Sequence, residues 1–301
     1  MSYSLISALC RENGTFCEFN HILAPNTSMK IGGACDVFIK VTNESALAEA
    51  VKLCRDENIP FLILGKGSNL LISTNGYHGC VIALSQEQPY IAVEGRKITA
   101  WAGAPLSAVC LEALNSSLTG MECLYGIPGS VGGALFMNAG AYGGEMKDVV
   151  YSCRYIDENG DINEMPAEDM QLSYRSSVFS KKNYIVTSVT FRLENGDKTA
   201  IKARMDELMQ RRRDKQPLEY PSCGSTFKRP EGYFAAALIE ECGLKGFSVG
   251  GAQVSEKHSG FVINRGGATF EDVMAVVEHI KKVVLEKKGV ELECEMIIID
   301  K

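Results

Sequence analysis

The stretch "GMECLYGIPGSVGGALFMNAGAYGGE", Gly120 to Glu145, holds eight glycines and, from Cys123 through Gly144, no charged side chain. An ordinary turn needs one or two glycines. A long uncharged run of them leaves peptide groups bare, because glycine has no Cβ and accepts positive φ at no steric cost. Such a surface suits a planar ligand lying close to backbone, with N–H groups aimed at its polar edge and phosphates. Ser130 and Asn138 add side-chain hydrogen-bonding groups to the same run. The competing reading is tight packing between strands, where small residues serve only close approach.

A second glycine loop lies upstream. "FLILGKGSNLLI", Phe61 to Ile72, is an apolar strand running into Gly65-Lys66-Gly67-Ser68-Asn69. A Walker loop needs its lysine followed by Ser or Thr at the end of a longer loop, and Lys66 stands in the wrong place. A dinucleotide fingerprint needs a third glycine opening a helix, but position 70 is Leu and "LLIS" reads as extended. What remains is a pyrophosphate nest between strands, or a plain turn. Two such loops in one chain favour the nest.

The bulk numbers bound the rest. A chain of 301 residues, 46% hydrophobic, buries a sizeable core and divides into two or three structural units. The net charge of -6 argues against general nucleic-acid binding while allowing a local basic pocket. No apolar run is long enough to span a bilayer, and the start "MSYSLISALCRENGTF" lacks the features of a secretory signal. Eleven cysteines without a C-x-x-C pair fit reduced cytoplasmic thiols, not a disulfide framework or a zinc site. No metal is expected.

Strand-like runs fill the first two thirds: "DVFIKV", "FLILG", "GCVIAL", "KITAWAG", "VVYSCRYI" and "YIVTSVTFRL". Two helical patterns are interleaved, one capped by Asn43 and one opening with Pro105 in its first turn. After the turn "LENGDKTA" come three helical patterns, "TAIKARMDELMQRRRDK", "GYFAAALIEECGL" and "TFEDVMAVVEHIKKVVLEKKG", with strand-like "GFVINRG" and "VELECEMIIID". A domain boundary is expected near residue 196, giving an N-terminal segment 1–29, a first domain 30–196 and a second 197–301.

Five segments taken in order, "NTSMKIGGACDVFIKV", "LGKGSNLLI", "GIPGSVGGALFMNAGAYGGE", "SYRSSVF" and "CGSTFKRP", resemble the UDP-N-acetylenolpyruvoylglucosamine reductases, flavoenzymes of bacterial peptidoglycan precursor synthesis. The resemblance runs from about Asn26 to the C-terminus. It implies an α+β chain: an FAD-binding domain of the vanillyl-alcohol-oxidase (PCMH) type, then an α+β substrate-binding domain. It implies FAD as cofactor, NADPH as co-substrate, UDP-N-acetylglucosamine enolpyruvate as substrate, and a cytoplasmic setting without nucleic-acid or membrane partners. Contacts to FAD would come from Gly65, Lys66, Gly67, Ser68, Asn69 and Leu70, and from Gly126, Pro128, Gly129, Ser130, Gly133, Asn138, Gly140 and Ala141.

In that reaction hydride adds to the terminal vinyl carbon, and negative charge builds at the carbon beside the carboxylate. Cations or acids must stabilise the charge, and a proton must reach the carbon. Arg175 in "SYRSSVF" matches the family's catalytic arginine, with a fork suited to a carboxylate. Glu295 matches its C-terminal glutamate; near a bound carboxylate its protonated form is favoured and can donate to the enolate. The family's Glu-Val-Arg-Ile pattern reads Glu295-Met296-Ile297-Ile298 here, so the arginine at position 297 is lost. Ser225 then takes the role of proton donor. The alternative, a nucleophile, lacks a positioned base, since His21, His78, His258 and His279 are scattered. A G-x-S-x-G elbow is absent because Phe227 stands in its last place. Cys223 is read as an inert thiol.

For the nucleotide sugar, the basic helix end Arg211, Arg212, Arg213 and Lys215 is chiefly a solvated terminus suited to the helix dipole. Lys215 matches a family lysine that contacts the diphosphate. Tyr174, Lys228 and Arg229 are further substrate candidates, Arg229 standing where relatives often carry asparagine. The short run after Arg175 places the chain in the subclass without a tyrosine-bearing insertion. Two other readings stay open: an alcohol oxidase tethering FAD through His78, and a nucleotide-binding module without catalysis.

Overall fold

The computed structural model describes residues 2–87 and 89–300. The chain separates into two compact units, Met1–Phe19 with Val37–Lys66 and Gly79–Arg211, and Asn20–Asp36 with Gly67–His78 and Arg212–Lys301.

In the first unit an antiparallel five-stranded sheet runs in the order Ile162–Pro166, Val150–Ile156, Ile185–Arg192, Lys97–Trp101, Ile91–Glu94. Its central strand, "IVTSVTFR", is rich in β-branched residues and mostly buried, as a strand with a neighbour on each side requires. A four-stranded sheet has the order Phe16–Ile22, Ala34–Val41, Tyr77–Leu84, Phe61–Leu64. The last two pair in parallel, Phe61 opposite Cys80. From Gly79 to Leu84 the strand is buried throughout, which is why it reads as unbroken apolar sequence without alternation. The helix Glu44–Asp56 is capped by Asn43, whose side chain accepts from the Ala46 N–H, and it buries Leu47, Ala50, Val51 and Cys54.

The second unit is built on the helix Phe270–Lys288. Val273, Val276, Val277, Ile280 and Val284 recur at helical spacing, and all are fully buried. Thr269 and Asp272 close a capping box at its start, and Gly289, at φ 67°, ends it in the left-handed conformation. Against this helix pack the three-stranded antiparallel Ser248–Val249, Ala252–Val254 and Val262–Asn264. Leu70–Ile72 pairs in parallel with Ile297–Ile299, so "LLI" is extended, as expected.

Four details of secondary structure differ from the sequence reading. The N-terminal segment carries a helix, Ser2–Glu12. A short helix, Val131–Phe136, forms inside the glycine-rich run. Gly132 permits it: a Cβ there would stand 2.8 Å from the Ala102 Cβ, so only a bare α-carbon lets the helix backbone approach. Pro105 is the N-cap of Leu106–Asn115 and not its first residue. Of "VELECEMIIID", only Ile297–Ile299 forms a strand. The break between the compact units falls at Arg211/Arg212, within the helix Lys198–Lys215, whereas the helix begins where the composition changes near residue 196.

Candidate active site

In the first unit the backbone at Gly65 meets the glycine-rich run. A Cβ on Gly65 would collide with the Ser130 hydroxyl oxygen, so the backbone at 65 lies directly against Ser130. Ser130 is buried and caps Val131–Phe136 by accepting from the Gly133 N–H at 3.4 Å. Gly129 and Val131 are tied to the neighbouring loop, Leu106 N–H donating to the Gly129 carbonyl at 3.0 Å and Val131 N–H to the Ala104 carbonyl at 2.9 Å. Among the described residues, none supplies an acceptor for the peptide N–H of Gly129 or Ser130. Two such peptide donors, on half-buried Gly129 and buried Ser130 beside uncharged, exposed Pro128 and Gly133, make the kind of cradle a phosphate or a planar heterocycle fills.

Asn138 is fully buried and its side chain is engaged inside the protein. Nδ2 donates to Glu145 Oε2 and to the Ser173 carbonyl, both at 3.0 Å, and Oδ1 accepts from the Lys147 N–H at 3.0 Å. Gly140 and Ala141 pair with Glu145 and Gly144 in a tight hairpin. Arg175 sits at the tip of a turn closed by Ser173 and Ser176, in the left-handed region at φ 52°. Its guanidinium lies 5.0 Å from the ring of exposed Tyr174, and Nη2 is 3.5 Å from the Gly140 carbonyl. Glu145 is held ionised below the usual carboxylate range, first by the Lys147 ammonium, which outweighs the opposing effect of burial, and further by the Asn138 amide and the Arg175 charge.

In the second unit Ser225 is exposed, while the residues that follow it are pinned. Buried Thr226 donates its N–H to the Gly260 carbonyl (2.9 Å), accepts from the Val262 N–H through its hydroxyl (3.0 Å), and accepts from the Glu295 N–H through its carbonyl (2.8 Å). Lys228 N–H donates to the Glu293 carbonyl at 2.8 Å, and Phe227 bridges Cys294. Ser225 and Glu295, 70 residues apart in sequence, therefore lie on adjacent extended segments. Asn69 fixes the far side: its Nδ2 donates to the Glu295 carbonyl at 3.0 Å, and its own carbonyl accepts from the Ile297 N–H at 2.9 Å.

Lys228 pairs with Glu293, whose side chain is largely exposed. Such a pair contributes at most about 1 kcal/mol and gives way readily to a stronger anion. Lys215 is exposed at the end of its helix, and Arg229 stacks on the Phe234 ring, its Cζ 3.9 Å from the centroid. Gly67 is buried, Ser68 and Leu70 are half-buried, and Lys66 is exposed. Cys223 is 5% exposed and burial pushes its thiol up to about 12, so no thiolate forms there. His78 is a surface side chain, 80% exposed, 3.5 Å from Asp36.

The comparisons bear on both units. A family model described as FAD binding domain matches residues 35–165, and one described as UDP-N-acetylenolpyruvoylglucosamine reductase, C-terminal domain, matches 216–299. The UDP-N-acetylenolpyruvoylglucosamine reductase of Clostridium perfringens is 52% identical over 90% of this chain and 88% of its own. The chain belongs to the UDP-N-acetylenolpyruvoylglucosamine reductase family. That of Caldanaerobacter subterraneus subsp. tengcongensis is 52% identical over 93% of this chain and 92% of its own. The crystal structure of the reductase from Thermus caldophilus superposes with a TM-score of 0.82 at 33% identity, covering 95% of this chain and 99% of that one. The architecture is thus the α+β fold of this reductase family, with an FAD-binding domain. Among the described residues, no helix is long and apolar enough to cross a membrane.

Several residues that hold these segments in place escaped the sequence reading. Thr226, Gly260 and Glu145 act through backbone or buried contacts, and only the lone charge closing the uncharged run marked Glu145 beforehand. His258 also contributes: its Nδ1 accepts the Gly260 N–H at 3.2 Å, and Gly260 holds Thr226.

Two consequences follow for stability. Gly67 has φ 61°, and a Cβ there would collide with the Asn26 carbonyl oxygen, which belongs to backbone and cannot swing aside. Gly67→Ala should cost roughly 1–3 kcal/mol, read as a lowered Tm by calorimetry. For His258, burial lowers its pKa from 6.5, with Lys245 acting in the same direction and Glu240 opposing it. The unfolded chain then binds the proton more readily than the folded one. The contribution of this group is complete above pH 6.5 and is lost as pH falls below it. Denaturant midpoints should drop with acidification more steeply in the wild type than in His258→Gln; equal slopes would assign the effect elsewhere.

Proposed function

We propose that this chain catalyses NADPH-dependent reduction of UDP-N-acetylglucosamine enolpyruvate to UDP-N-acetylmuramate through FAD, in the bacterial cytoplasm. The observation that carries this reading is the arrangement around Ser225: an exposed residue on a segment pinned to the one that carries Glu295, in a chain of this reductase family. Residues 30–196 take FAD and residues 197–301 the nucleotide sugar.

The chain fits the cofactor. The free N–H groups of Gly129 and Ser130, beside bare Gly65, offer donors to a dinucleotide, and backbone contacts at Gly126, Pro128, Gly133, Gly140 and Ala141 extend the same surface. Asn138 contributes backbone, its side chain being engaged within the protein. Lys66, Ser68 and Leu70 complete the first loop. Bound FAD supplies hydride chemistry; the protein supplies orientation and electrostatics.

Arg175 grips the substrate carboxylate, its planar fork matching two oxygens and balancing the charge that grows there. As hydride reaches the terminal vinyl carbon, the double-bond electrons move to the adjacent carbon and into the carboxylate. Glu295, protonated, donates a hydrogen bond to the enolate. Ser225 passes its hydroxyl proton to the carbon beside the carboxylate, completing the lactyl group. Serine is a weak acid, so it works only against a strongly basic carbon with a cation nearby, and Lys228, three residues on, is that cation once substrate displaces Glu293. Lys215, Arg229 and Tyr174 serve the diphosphate and sugar.

The reading is tested by incubating FAD-reconstituted protein with NADPH and the enolpyruvyl sugar. NADPH should be consumed only when the sugar is present, and mass spectrometry should find a product heavier by two hydrogens. Sugar-independent oxidation of NADPH without that product would reject it. An acid-precipitated pellet that stayed yellow would favour a tethered-flavin oxidase instead.

A further inference from the structure

Asn138 joins two parts of the first unit that are far apart in sequence. Its backbone is left-handed, at φ 44°, within the glycine-rich run, and its side chain is fully buried. One amide hydrogen goes to Glu145 Oε2 and the other to the Ser173 carbonyl, each at 3.0 Å. Ser173 opens the tight turn that carries Arg175: Ser173 N–H donates to the Ser176 carbonyl at 3.0 Å and Ser176 N–H to the Ser173 carbonyl at 3.1 Å. On the far side, Ser177 Oγ donates to the Phe136 carbonyl at 2.7 Å, tying the end of that turn to the short helix that precedes Asn138. Glu145 is gripped in turn by Lys147, Nζ to Oε2 at 2.8 Å, and pairs through backbone with Gly140, whose carbonyl faces the Arg175 guanidinium.

We propose that Asn138 is the positioning residue for Arg175: its amide locks the arginine turn to the glycine-rich loop, with Glu145 as the anionic anchor behind the guanidinium. A long side chain at the tip of a two-residue turn has many rotamers, and holding it ready to grip a carboxylate requires that the turn itself be fixed. The buried amide uses both N–H donors and its oxygen in doing so, which makes it costly to exchange for any other group. This inference rests on the reading that Arg175 meets the substrate carboxylate.

Asn138→Asp keeps the size, the tolerance of positive φ and the acceptor for Lys147 N–H, but removes both donated bonds and sets a carboxylate against Glu145 and the Ser173 carbonyl. Reoxidation by the enolpyruvyl sugar should slow by roughly 10- to 100-fold more than any change in flavin reduction by NADPH. In binding measurements, affinity for UDP-N-acetylmuramate should fall about tenfold and affinity for UDP-N-acetylglucosamine, which lacks the carboxylate, should not change. Wild-type reoxidation and binding in the variant, or equal losses in both half-reactions and for both ligands, would overturn the proposal. Should the variant fail to accumulate as a folded yellow protein, Glu145→Gln decides alone. It retains an acceptor for Asn138 but removes the anionic anchor, and slowed reoxidation with intact reduction supports the proposal whereas unchanged reoxidation refutes it. Wild type run alongside separates the two readings: reoxidation by the sugar isolates this inference, and its absence overturns both.

Discussion

Ser225→Ala is expected to leave the reduction of bound flavin by NADPH within about twofold of the wild-type rate and to slow reoxidation by the enolpyruvyl sugar by roughly 10²–10⁴-fold, the usual contribution of a positioned general acid. The selectivity comes from geometry. The hydroxyl is exposed, whereas Thr226 next to it carries the bonds to Gly260, Val262 and Glu295 that keep the segment in place. Removing one exposed oxygen leaves all of those bonds intact, so fold and flavin content should match wild type. Rapid-mixing absorbance of the two half-reactions reads the result. Equal loss in both would show that Ser225 supports the structure and does not donate the proton.

Arg175→Lys should slow the same oxidative half-reaction by about 10²–10³-fold, comparable to removing one preorganised donor from a charge-stabilising site. Lysine keeps the charge but not the planar fork, so it cannot take both oxygens of a carboxylate at once. Its flexible ammonium also lies opposite Glu145 with no fixed geometry to resist a direct ion pair. Reduction by NADPH should again be little affected. A lysine variant with wild-type reoxidation would mean that charge alone suffices and that the fork has no special part.

What could be read in advance divides by range of interaction. The helix starting after Asn43 was visible from its cap, which bonds to backbone three residues away, and the one at Phe270 from apolar residues at helical spacing. The helix Val131–Phe136 was hidden because its two glycines, Gly132 and Gly133, are poor helix formers, and what makes it possible is contact with Ala102, remote in sequence. The asparagines show the same limit at the site. Asn138 read as a ligand group for its side-chain hydrogen bonds, and Asn69 from the resemblance. In the fold the side chain of each is turned inward, one onto the Glu295 carbonyl and one onto the Arg175 turn. Arg175, Ser225 and Glu295 were singled out by resemblance, since no local pattern links residues at such separations. The Thr226–Glu295 bond supplies the physical link for two of them.

The most direct measurement begins with flavin-loaded protein reduced anaerobically by one equivalent of NADPH, then mixed with the enolpyruvyl sugar in a stopped-flow cell. The account predicts that the oxidised flavin spectrum returns at least as fast as steady-state turnover and that one lactyl product forms per flavin. Flavin that stays bleached until oxygen is admitted would contradict it.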